Sequence, residues 1–193
     1  MSSTGNSIIA WQVEHEAVDP LGMEHSWRLD AEFVVAEVEA VRQSDPTRPI
    51  LMNGFLPVSL PVRLTQWWQI RDQGDSLAVG QGLADIVGVD YYPRHALLGT
   101  SGATVYLDAS RSPWQHQRLM RLFAWARARG KRLMISCRPE DVIDNYNRCL
   151  RWARQAGFVL DAYLFWGAEY WILRAQHGDS SYRQAFVRIL ERA

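Results

Sequence analysis

Side chains able to do chemistry recur at the ends of short apolar runs in this chain. Glu14-His15-Glu16 follows the run Ile8 to Val13, and Asn53 follows Ile50-Leu51-Met52. Asp90, Tyr91 and Tyr92 close the stretch that begins at Asp85. Cys137, Arg138 and Glu140 follow Arg132 to Ser136, and Trp166 and Glu169 end the run from Val159. Two carboxyl groups facing one another across a glycosidic bond are the minimal equipment for cleaving it: one protonates the leaving oxygen, the other attacks the anomeric carbon or activates water. Tryptophan and tyrosine add flat faces against which a sugar ring stacks.

Those groups act together only if the runs are strands of one sheet with their ends on one side. The chain alternates a short apolar strand, a polar turn and an amphipathic helix, the pattern of βα units and a parallel sheet. The strands are expected over 8–13, 50–52, 85–92, 132–136 and 159–166. Phe33, Val34, Glu37, Val38 and Val41 fit a 3.6-residue period, which predicts a helix over 27–43 capped by Ser26. Ser112 and Pro113 open a second helix that stops at Gly130. Further helices are expected over 140–156 and 180–191, and a short one over 64–71. Gly74, Gly80 and Gly82 are read as loop, as is the long stretch Arg94 to Ser112, whose length suits a role in specificity. In a parallel α/β barrel the strand ends converge on the active site. The expected fold class is therefore α/β: a partial (β/α)8 TIM barrel of about five parallel βα units in a single domain, 1–193. A complete barrel of eight units takes about 250 residues, so the N-terminal units are expected to be missing.

Composition narrows the class. The chain has 193 residues, 48% of them apolar, enough for one sizeable core. Its 21 basic and 21 acidic residues cancel, which argues against a nucleic-acid or membrane-surface partner. The segment before Ile8 lacks a basic leader and no apolar run approaches the ~18 residues of a membrane span, so a cytoplasmic location is expected. Two cysteines, Cys137 and Cys149, lack metal-ligand spacing, and Cys149 falls inside a helix, where it reads as core. Two short motifs fail. His15-Glu16 begins like a zinc-binding HExxH, but Asp19 stands where the second His belongs. Gly80-Gln81-Gly82 precedes a strand instead of following one, so it is no dinucleotide loop.

Four segments in order carry a resemblance. Trp11-Gln12-Val13-Glu14-His15-Glu16 resembles the WQVENE strand-4 motif of clan A glycoside hydrolases, the family 5-like and family 42-like retaining enzymes. Asp45-Pro46-Thr47-Arg48-Pro49 is similar to the DPTRP turn before their strand 5, and Asp85 to Tyr92 to their D-x-x-G-x-x-x-Y strand 6. Phe165 to Trp171 contains the WGAEYW of strand 8. The resemblance implies hydrolysis of a β-linked O-glycoside with no metal or organic cofactor. Glu16 would be the general acid/base, with His15 replacing the Asn that bonds the sugar 2-hydroxyl. Tyr92, Trp166, Asn53 and Glu169 would position the carbohydrate. Gly130 to Ser136 is similar to the GKPLWVT lead of strand 7, after which the family places its nucleophilic Glu; here Cys137 follows, and Glu140 lies three residues on. A buried inert thiol is the plainer reading of Cys137. Glu140 either replaces the nucleophile or matches a downstream non-catalytic Glu. The alternatives to an active glycosidase are an inactive carbohydrate-binding pseudoenzyme and a truncated fragment, whose open strand edges a homodimer would cover.

Overall fold

The computed structural model describes residues 8–18, 28–56, 64, 76–92, 94–100, 103–108, 112–137, 142–165 and 167–191. The chain divides into two compact units, Met1–Val89 and Asp90–Ala193, and the strand Ile86–Tyr91 runs through the division. The fold is α/β, with five parallel strands in the order β1 (Trp11–Gln12), β2 (Ile50–Phe55), β3 (Ile86–Tyr91), β6 (Arg132–Cys137) and β7 (Ala162–Phe165), and a separate two-stranded ribbon.

The first unit holds β1 (Trp11–Gln12), α1 (Ala31–Ser44), β2 (Ile50–Phe55), α2 (Ser76–Leu83) and the start of β3 (Ile86–Tyr91). β1 and β2 are parallel, with Trp11 opposite Ile50 and Gln12 opposite Leu51. β1 is shorter than the expected 8–13 because its ladder closes after one more bond, from Val13 N–H to the Leu51 carbonyl. α1 begins later than expected: Asp30, not Ser26, is its cap, accepting the Glu32 amide hydrogen at 2.8 Å. Residues 19–27 lie outside the described set. Val34 and Val38, one helical turn apart, turn inward and join Val13, Val18, Ile50, Met52 and Ala84 in one core. Gly80 and Gly82, read as loop, lie inside helix α2, where a Cβ on Gly80 would come within 3.3 Å of the Met52 Cβ, so glycine eases the close packing. The expected helix over 64–71 falls almost wholly outside the described residues.

Asp45 joins the turn between α1 and β2 to β1. Its carboxylate accepts from Thr47 N–H at 3.1 Å and Thr47 Oγ1 at 2.6 Å, from Trp11 Nε1 at 3.0 Å and from Arg48. These donors hold its pKa far below the usual carboxylate range, the Thr47 hydroxyl foremost, then Trp11 and Arg48. The DPTRP turn therefore has a structural task of its own.

The second unit takes up the end of β3, then β4 (Arg94–Thr100), β5 (Ala103–Asp108), α3 (Pro113–Arg129), β6 (Arg132–Cys137), α4 (Val142–Gln155), β7 (Ala162–Phe165), α5 (Ala168–Gln176) and α6 (Ser181–Leu190). The expected loop 94–112 is mostly an antiparallel hairpin, with Arg94 opposite Asp108 and Thr100 opposite Ala103. Its alternation is obscured in the sequence by the run of small residues Gly99 to Gly102. Gly130 ends α3 in the left-handed region at φ 59°, the role a C-terminal glycine is suited to. β6 and β7 are parallel, with Cys137 opposite Phe165. The chain then turns at Gly167, φ 89°, into α5, so most of the strand-8-like segment is helix. Trp171, Phe165 and Phe186 cluster there with ring centroids 5.2–6.0 Å apart. Among the described residues no helix is long and apolar enough to cross a membrane.

Candidate functional site

The ends of β1 and β2 bring together residues 38 and 41 apart in the chain. Gln12 Nε2 donates to the Glu14 carbonyl at 3.2 Å and to Asn53 Oδ1 at 3.1 Å. Asn53 Nδ2 in turn lies 2.6 Å from His15 Nδ1. The direction of this relay follows from its anchor. A backbone carbonyl only accepts, so the Gln12 amide must present its nitrogen on that side. The Asn53 oxygen is then the acceptor for Gln12, and its nitrogen is left to donate to His15. His15 Nδ1 is therefore a lone-pair acceptor, and the neutral ring carries its hydrogen on Nε2.

Backbone geometry places the carboxylates around this relay. Glu14 and Glu16 both adopt the left-handed region, with φ 57° and 49°. Side chains rarely accept that conformation, and such residues concentrate at functional sites. The turn leaves His15 exposed, Glu16 half-buried and Glu14 exposed. Glu14 has a like-charged neighbour: after burial, its charge is the second cause that raises the pKa of Glu37. It makes no ion pair among the described residues. Asn53 is buried, and Gly88 on β3 is what lets it be there. A Cβ on Gly88 would come within 2.5 Å of the Asn53 Cβ, so only glycine admits this approach.

Asp90 follows on β3 and is fully buried.

The remaining expected residues are placed as follows. Tyr92 is half-buried just beyond β3, and Tyr91 faces the other way, its hydroxyl donating to Gln115 Oε1 at 3.0 Å. The two-residue period thus puts Asp90 and Tyr92 on the face opposite Tyr91. Cys137 ends β6. Glu169 is exposed in the first turn of α5. Glu140, Arg138 and Trp166 lie outside the described residues. Cys149 is buried, as its helical position predicted. Sequence reasoning missed Gln12 as a functional residue. It stands inside the quoted motif, and its alternation with Glu14 was the available signal.

Comparison with protein-family models, curated proteins and solved structures finds no match to this chain.

Proposed function

We propose that the chain is a homologue of the clan A glycoside hydrolases that engages a β-linked carbohydrate, with Glu16 as the general acid/base. The observation that carries this reading is the Gln12–Asn53–His15 relay beside Glu16. It fixes an imidazole N–H as a donor next to a half-buried carboxyl group. A sugar hydroxyl needs such a donor while the neighbouring acid protonates the glycosidic oxygen. His15 would thus do with Nε2–H what an amide does in the family motif. Asn53 acts through His15 as a positioning residue. Tyr92, Trp166 and Glu169 complete the proposed carbohydrate contacts.

Cys137 favours a second reading, a carbohydrate-binding protein without turnover. It occupies the strand end where the family motif places a nucleophilic carboxylate, and Glu140 is the substitute nucleophile under the first reading.

Hydrolysis of aryl β-glycosides separates the two. Under the first reading wild type turns over, Glu140→Gln abolishes it, and Glu16→Gln lowers kcat/KM by about 10²–10⁴-fold for poor leaving groups. The loss is much smaller for a dinitrophenyl group, which leaves without protonation. Under the second, wild type binds a β-linked disaccharide without cleaving it, and Cys137→Glu creates activity. Failure to bind or cleave any β-glucoside, β-galactoside or β-mannoside would overturn both.

A further inference from the structure

The chain is neutral overall, but its charge is divided. Residues 1–89 hold 5 basic and 12 acidic side chains; residues 90–193 hold 16 basic and 9 acidic. In the second unit part of this excess gathers in one place. A groove of 910 Å³ runs between α4 and α6. Arg151 and Arg154 line it from α4, and Arg188 from α6. Its floor is apolar, with Tyr146, Leu150 and Ile189, and no carboxylate lines it.

Several arginines elsewhere in the described second unit have partners. Arg132 pairs with Asp161 at 2.8 Å, Arg174 with Asp179 at 2.5 Å, and Arg127 donates to the Ala156 carbonyl at 3.0 Å. Arg151, Arg154 and Arg188 make no hydrogen bond, ion pair or ring contact among the described residues. Three like charges lining one groove without a carboxylate repel, and an anion bound there reduces that repulsion. Guanidinium groups on two walls can each offer a planar pair of donors to one oxyanion. The apolar floor between them would take an uncharged body. The volume falls in the range of small-molecule clefts, and a concave site with charge on both walls encloses a ligand rather than resting on a flat surface.

We propose that the α4–α6 groove binds a small organophosphate: a phosphate dianion between Arg151, Arg154 and Arg188, with an apolar or aromatic body on Tyr146, Leu150 and Ile189. The site is independent of Glu16 and of the carbohydrate reading, so either stands if the other fails.

Calorimetric titration with 1-naphthyl phosphate tests it, with inorganic phosphate and 1-naphthol as half-ligands. The expected result is binding at least about tenfold tighter than either half. Added salt weakens it, because exposed charges are screened. All three arginines are exposed, so Arg154→Gln/Arg188→Gln should keep its circular dichroism and lose about tenfold or more in affinity. Arg188→Lys, which keeps the charge without the fork, loses part of it. Arg121→Gln, on the exposed face of α3, leaves binding unchanged. Absence of binding, or equal binding by the double variant, overturns the proposal. Arginine-dependent binding of an acidic peptide or an oligonucleotide, without 1-naphthyl phosphate binding, also overturns it in favour of a macromolecular anion.

Discussion

At the scale of single residues, the informative feature is the direction of a hydrogen bond. Gln12, Asn53 and His15 form a relay whose polarity is set by the Glu14 carbonyl, and that polarity decides which imidazole nitrogen carries the hydrogen. Asn53→Asp tests this with little change of volume. The carboxylate has no hydrogen to give, so it favours a hydrogen on Nδ1. The ¹⁵N spectrum of His15 is expected to show Nε2–H in wild type and Nδ1–H or the doubly protonated ring in the variant. Carbohydrate affinity or turnover should fall with it. An unchanged ¹⁵N pattern would remove Asn53 from its positioning role. The residues Glu14, His15 and Glu16 were legible in the sequence as a chemical cluster. Their left-handed backbone was not, because nothing in their types favours positive φ.

At the scale of elements, α1 shows how local rules and packing divide the work. Of the periodic face read from the sequence, Val34 and Val38 are buried, whereas Phe33, expected on the same face, is exposed. Its start was misread because Ser26 and Asp30 are both competent caps, and position relative to the core decides between them. Asp30→Ala removes the acceptor for the Glu32 amide and should cost about 1 kcal/mol, read as a lower midpoint in urea with unchanged slope. An unaffected midpoint would mean the helix end is held by packing alone. The hairpin β4–β5 and helix α2 were both read as loop for one reason. Glycines at 80, 82, 99 and 102 mark turns by default, and only neighbours such as Met52 beside Gly80 reveal when a glycine serves close packing.

At the scale of the whole molecule, two aspartates hold turns in different units and make stability depend on pH. Asp45 ties β1 to the turn before β2, and Asp179 binds Ser181 and Arg174 at the start of α6. Asp179 is lowered to about 2, chiefly by the Ser181 hydroxyl and then by Arg174; Asp45 lies lower still. Both pKa values are depressed in the folded chain. The stabilisation is therefore fully present above the ordinary carboxylate value near 4 and is lost as pH falls through the folded values. Asp45→Asn and Asp179→Asn should each lower stability at pH 7 and flatten its decline between about pH 4 and pH 2. An acid limb as steep as wild type in both variants would show that other carboxylates govern it. The same scale exposes what a net charge of zero conceals: the cancellation is between halves, and three arginines of the basic half line one groove without a carboxylate.

The amino-acid order alone determined the α/β rhythm, the inward faces of the helices and the strand-end positions of Glu16, Asn53, Asp90 and Cys137, because periodicity and turn chemistry act over a few residues. Tertiary structure decided that Asn53 meets His15, that Trp11 meets Asp45, and that Arg188 shares a groove with Arg154. Those partners lie more than thirty residues apart, and strand register and helix packing, which no local pattern encodes, bring them within reach.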